Sequence, residues 1–142
     1  VQSLDQELAR VPLRGEDLDA VAKRRIGQGA FKKLLRGRYP SCCLCGLDDQ
    51  RLLIASHIKP WSESSAEEKV DIDNGFLLCP NHDFLFDRKL ISFSDTGKIL
   101  ISKQISKETR QQLGICDGQH IKLTKGNRKY LTDHRKQFDK KE

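Results

Sequence analysis

The chain has no methionine, not even at position 1, and only one tryptophan, Trp61. The missing starting residue makes a processed or excised piece of a longer protein the expectation. No apolar run is long enough to span a bilayer and no signal-peptide pattern is present, so neither a spanning helix nor a secretion leader is expected. No internal repeat and no low-complexity segment interrupts the 142 residues, a length that suits one domain. The five cysteines are an odd number, and three of them crowd into Cys42, Cys43 and Cys45. That is a poor disulfide framework and a good arrangement for metal in a reducing compartment. Between Lys23 and Arg38 there is no acidic residue at all, against seven basic ones.

What is present is a small core under a charged surface. Hydrophobic residues make up 37% and charged residues 32% of the chain, with a formal net charge of +6. The excess of positive charge points toward a polyanionic partner. The basic run Lys23 to Arg38 reads either as a solvated helix face or as a nucleic-acid contact. Leu4, Leu8 and Val11 form a weak helical stripe. Helices are expected over Glu16 to Arg25 and, after Gly27 and Gly29, over Ala30 to Arg38, with Phe31, Leu34 and Leu35 on one face. A turn-rich knuckle follows at Tyr39 to Gly46. A strand is expected at Arg51 to Ser56, then a long acidic connection from Lys59 to Asp73 that should be mobile and solvent-facing. Phe76 to Cys79 is a second strand, and Pro80 suits the first turn of a helix running to about Lys89. Ser94-Asp95-Thr96-Gly97 turns a hairpin between Leu90–Phe93 and Lys98–Ser102. Ser106 caps a short helix, and Arg128 to Phe138 is the last, with Tyr130, Leu131, His134 and Phe138 at helical spacing. The fold class is α+β.

Two sets of chemically capable residues interleave between Ser41 and Asp87. Cys42-x-x-Cys45 and Cys79-x-x-His82 are two chelating pairs 34 residues apart (79 − 45). Each pair can place two donors on one tetrahedral ion, the first in a knuckle and the second astride a strand-to-helix junction. Four protein ligands leave no open position, so this metal is expected to be structural Zn2+, stapling a small domain. Cys43 could replace Cys42, but C-x-x-C chelates more comfortably than C-x-C. Cys116 is assigned to packing, and His120 has no evident partner. The second set is His57, Asn74 and Asp83. Adjacent helix positions point about 100° apart, so His82 and Asp83 cannot serve one ion. With His82 toward the zinc, Asp83 faces across the hairpin, in the direction of His57. An imidazole that can deprotonate water and a carboxylate that can hold Mg2+ suit phosphodiester hydrolysis.

These residues carry a resemblance. Cys42-x-x-Cys45-Gly46, Ala55-Ser56-His57-Ile58-x-Pro60-Trp61, Asn74-Gly75-x-Leu77-Leu78-Cys79-Pro80-Asn81-His82-Asp83 and Leu85-Phe86-Asp87 resemble the HNH nucleases, most of all bacterial restriction-type enzymes. The likeness reaches from Arg25-Ile26-Gly27-Gln28 to His134-Arg135. It implies a ββα-metal core with flanking helices and a small C-terminal hairpin, in a nuclease domain over residues 25–142 after an N-terminal helical extension or linker at 1–24. It implies His57 as general base, Asn74 as the brace of the loop that aims it, and Asp83 as ligand to a catalytic Mg2+ or Mn2+. Two positions depart from the motif. Asp83 stands for its last histidine, and Ser56 stands where a second ligand is common. Asp87 is read as an orienting acceptor or an outer ligand. Lys32, Lys33, Arg36, Arg38, Arg88 and Arg135 are the expected DNA contacts. The implied partner is double-stranded DNA in the bacterial cytoplasm, not a membrane. Sequence specificity would come from an N-terminal recognition domain of the parent protein or from dimerisation. The competing reading is a zinc-stapled nucleic-acid-binding module that has lost catalysis.

Overall fold

The computed structural model describes residues 15–141, and within them the side chains of residues 15–19, 21–25 and 141 are not described. The expected stripe of Leu4, Leu8 and Val11 lies outside the described residues. Helix α1 (Gly15–Arg38) is a single helix where two were expected. Gly27 and Gly29 do not break it, because an interior glycine costs only about 1 kcal/mol against alanine. Phe31 and Leu35, both fully buried, repay that cost by docking the helix on the sheet behind it.

That sheet is an antiparallel hairpin of β1 (Ile54–His57) and β2 (Gly75–Leu78), with Ile54 opposite Leu78 and His57 opposite Gly75. β1 begins three residues later than the sequence suggests. Gln50–Leu52 instead forms a 3-10 turn, capped by Asp49, whose carboxylate accepts from the Arg51 amide at 3.0 Å. The connection between the strands is ordered rather than loose. Two 3-10 turns (Trp61–Glu63 and Ile72–Asn74) flank the short helix α2 (Ala66–Lys69). Ser65 and Glu68 close a capping box on α2, so local hydrogen bonds outweigh the solvation of an acidic segment.

Helix α3 (Pro80–Asp87) follows β2 directly, with Pro80 at its first position. The pair β1–β2 and α3 form the ββα unit. A second hairpin, β3 (Ile91–Phe93) and β4 (Ile99–Ile101), turns at Gly97, whose φ of 87° suits glycine. Helices α4 (Lys107–Gln112), capped by Ser106, and α5 (Lys125–Lys141) complete the α+β fold. Phe76, Phe86 and Phe93, with ring centroids 5.6 to 5.9 Å apart, join β2, α3 and β3 in one core. Among the described residues no helix is long and apolar enough to cross a membrane.

His134 of α5 belongs to that core. It stacks on Phe86 at 4.0 Å, donates from Nε2 to the Phe86 carbonyl at 2.8 Å, and accepts at Nδ1 from Ser92 Oγ at 2.7 Å. Burial lowers its pKa to about 4, so the ring is folded in its neutral form. The unfolded chain binds this proton and the folded chain does not. Stability from His134 is therefore complete above its ordinary value of about 6.5 and falls as pH drops from there toward about 4. His134→Gln is expected to flatten the fall in melting temperature over this window relative to wild type. Parallel curves for the two proteins would contradict it.

Candidate active site and metal centre

The knuckle that opens the metal site closes on itself. The Gly46 amide donates to the Cys42 carbonyl at 3.0 Å and the Cys42 amide to the Leu47 carbonyl at 2.8 Å, with Gly46 at a φ of 80°. This turns Cys45 back toward Cys42. Cys79 caps α3 and His82 lies on its first turn. The donor atoms of Cys42, Cys45, Cys79 and His82 all lie within 4.8 Å of one another. His82 Nε2 donates to the Leu113 carbonyl at 3.0 Å, which leaves Nδ1 facing the Cys42 sulfur at 3.8 Å. An outer carbonyl that fixes the tautomer of a ligating histidine is the usual support of a metal site. A hydrogen bond from the Cys79 thiol, helped by His82, pulls the Cys42 thiol down, and the same contact pushes Cys79 up. Cys43 points elsewhere. It packs against the core, and burial raises its thiol to about 12. Cys116, expected in the packing, is exposed instead, because the Cys116–Gln119 turn projects it from the surface. His120 is exposed too, and contacts the Gly118 carbonyl at 2.7 Å.

His57 ends β1. Its ring lies flat against Phe31 of α1, centroids 3.9 Å apart and 10° from parallel, and the Trp61 ring stands at 73° to it, centroids 5.7 Å apart. Nε2 donates to the Lys69 carbonyl at 2.8 Å. The neutral ring therefore carries its lone pair on Nδ1. Desolvation lowers the His57 pKa, partly opposed by the Lys69 bond, so the ring is neutral at physiological pH.

Asn74 is fully buried at the end of the connection. Its Oδ1 accepts from the Lys59 amide at 2.8 Å, and its Nδ2 donates to the Glu68 carbonyl at 2.9 Å and to Ser64 Oγ at 3.4 Å. One side chain thus ties both ends of the loop that ends at the Lys69 carbonyl. Asp73 next to it is held from α5, with its backbone carbonyl bound by Asn127 Nδ2 at 2.7 Å and its carboxylate by Thr124 at 3.0 Å.

Asp83 is buried on α3, and Ser56 Oγ donates a short hydrogen bond to its Oδ1. Its bonded partner is thus the residue before His57. Side chains alternate across a strand, so Ser56 faces α3 while His57 faces α1. Burial raises the Asp83 pKa; the Ser56 bond opposes this and the negative charge of Asp87 adds to it. Asp87 itself is exposed.

The basic candidates divide. Lys33 and Arg36 lie exposed on α1, and Arg36 reaches the Gln50 carbonyl at 3.0 Å. Arg38 is paired with Asp73 at 2.6 Å. Arg135 bridges the Phe93 carbonyl at 3.0 Å and Asp95 at 2.8 Å, so its guanidinium joins α5 to the second hairpin. Arg88 lies over the Phe84 ring at 5.0 Å, and Lys32 is half-buried. Sequence reasoning missed four supports: Phe31 under His57, the Lys69 carbonyl, the Ser56–Asp83 bond and the Leu113 carbonyl. Only the second had a local signal, the Ser-x-x-Glu box just before Lys69.

The sequence model of a family described as HNH endonuclease matches residues 42–94, and this stretch is an HNH-type nuclease segment. No curated protein matches the chain. Among solved structures, one similar chain is a "Modification dependent TagI restriction endonuclease", at 17% identity and a TM-score of 0.45 over 75% of this chain. The chain spans about a third of that protein's length, 34%.

Proposed function

We propose that this chain is the cleavage domain, over residues 25–142, of a restriction-type DNA endonuclease that hydrolyses phosphodiester bonds. The observation that carries the reading is the pair of neighbours at the end of β1. Ser56 holds a buried carboxylate, Asp83, and His57 is held neutral with its Nδ1 lone pair left for a proton. A carboxylate whose burial raises its pKa is an expense to the fold, which is why such groups mark functional sites.

The residues divide the work. His57 Nδ1 takes a proton from water, the water oxygen attacks phosphorus, and the bond to the leaving oxygen breaks. Asn74 keeps the 59–69 loop in place and thereby keeps His57 Nε2 on the Lys69 carbonyl. Asp83 offers the hard oxygen donor that Mg2+ or Mn2+ prefers, and Ser56 orients it. Such an ion would stabilise the charge that builds on the phosphate. The soft, closed Cys3His set suits Zn2+ in a structural role instead. Lys33 and Arg36 supply exposed positive charge for the DNA backbone. A recognition domain elsewhere in the parent protein, or a second copy, would add sequence preference.

The test is supercoiled plasmid incubated with highly purified, zinc-loaded protein and Mg2+ or Mn2+. Nicked or linear product that disappears on chelation supports the reading. Binding without cleavage in either ion would make the domain a zinc-stapled DNA-binding module.

A further inference from the structure

We propose that Phe31, on a helix outside the HNH segment 42–94, is the positioning residue that sets the plane of the His57 imidazole. The inference rests on His57 being the base. The χ2 torsion of a histidine is broad, so a rotamer alone does not fix where its two nitrogens point. Here a second flat ring fixes it. Phe31 is fully buried and lies 3.9 Å from the His57 ring, only 10° from parallel. With the plane set, Nε2 meets the Lys69 carbonyl at 2.8 Å and Nδ1 is left as the basic nitrogen.

One glycine makes room for the Phe31 ring. Gly75 stands directly opposite His57 in the hairpin, and a Cβ there would overlap the tip of the Phe31 ring. Its φ of −159° is ordinary extended backbone, so the demand for glycine is one of space. Gly27, one helical turn before Phe31, lies beside Trp61, where a Cβ would make an ordinary contact at 3.5 Å, and the Trp61 ring stands at 73° to the His57 ring. Helix α1 therefore supplies the ring stacked on the base from outside the HNH segment.

Phe31→Leu keeps an apolar side chain in the core but removes the flat surface. Gly75→Ala keeps Phe31 and displaces its ring. Long-range 1H–15N correlation of the four histidines reports the tautomer of each ring, with His57→Gln as the blank that assigns the His57 signals. In wild type the His57 pattern is that of Nε2–H. In F31L and in G75A it becomes a mixture of both tautomers, while circular dichroism and zinc content stay at wild-type values. In the same variants kcat falls about 10- to 100-fold, the scale of a misplaced catalytic group, with KM for DNA unchanged. A His57 pattern in F31L identical to wild type overturns the inference, whatever happens to cleavage. A mixed pattern in both variants with wild-type kcat also overturns it, since the ring plane then does nothing for catalysis. If His57→Ala itself cuts normally, the base assignment fails and not the seating of the ring, which the spectra report independently.

Discussion

Chelating the metal from Cys42, Cys45, Cys79 and His82 is expected to unfold the ββα unit rather than merely weaken it. The four donors converge within 4.8 Å, and they come from two places far apart in the chain, the knuckle before β1 and the start of α3. Without the ion, thiols buried at Cys42 and Cys79 face one another with no cation to balance a thiolate. A preformed site does not persist in an unfolded chain, so the free energy of binding is folding free energy, roughly 10 kcal/mol or more for structural zinc. That is of the same size as the whole stability of a typical domain, about 5–15 kcal/mol. Far-ultraviolet circular dichroism and melting before and after chelation check it, with one zinc per chain by elemental analysis. Cys79→Ser should behave like the stripped protein. Cys43→Ser should bind zinc as wild type does, because its thiol packs toward the core. A chelated protein with unchanged spectrum and melting temperature would contradict the assignment.

Asp83→Ala is expected to abolish divalent-dependent cleavage while zinc and fold are retained. Its neighbour His82 joins the Cys3His cluster from the same helical turn, but the two side chains diverge. His82 meets Cys42 and the Leu113 carbonyl, whereas Asp83 meets Ser56. Loss of a carboxylate with a raised pKa does not endanger the fold, since burial was working against its charge. It removes the buried carboxylate that Ser56 holds, and the Ser56 hydroxyl is a poor ligand alone. Mn2+ titration should lose this site. DNA affinity should hold or rise, because a negative charge has left the path of a polyanion. Asp83→His restores the residue more usual in HNH motifs and should keep activity, with preference moving toward Mn2+ or Ni2+. Wild-type cleavage by Asp83→Ala would show that the ion is held elsewhere.

Much of the site could be read from the sequence because its parts are local. A C-x-x-C knuckle and a strand that runs through Cys79-Pro80 into a helix each place two donors within a few residues. The hairpin at Gly97, the cap at Ser106 and the stripe Tyr130, Leu131, His134 and Phe138 are also local patterns, and they lie where expected. What was not legible depends on contacts between distant segments. Nothing near Phe31 says that it will lie under His57, and the partners of Arg38 and Arg135 are 35 and 40 residues away. The connection 59–73 reads as loose when its acidic residues count only as solvated charge. Asn74 and the Ser65–Glu68 box use its backbone instead. Gly27 and Gly29 looked like helix breaks, but burial of Phe31 and Leu35 carries α1 through them.

The most direct measurement of the central claim is single-turnover cleavage of DNA by wild type and His57→Ala, matched for zinc content and DNA affinity. A general base typically contributes on the order of 100- to 10,000-fold. A rate loss in that range is expected with Mn2+ affinity unchanged, because His57 faces α1 and Asp83 faces Ser56. A His57→Ala protein that cuts at the wild-type rate, or that loses the Mn2+ site while Asp83→Ala keeps it, would contradict it.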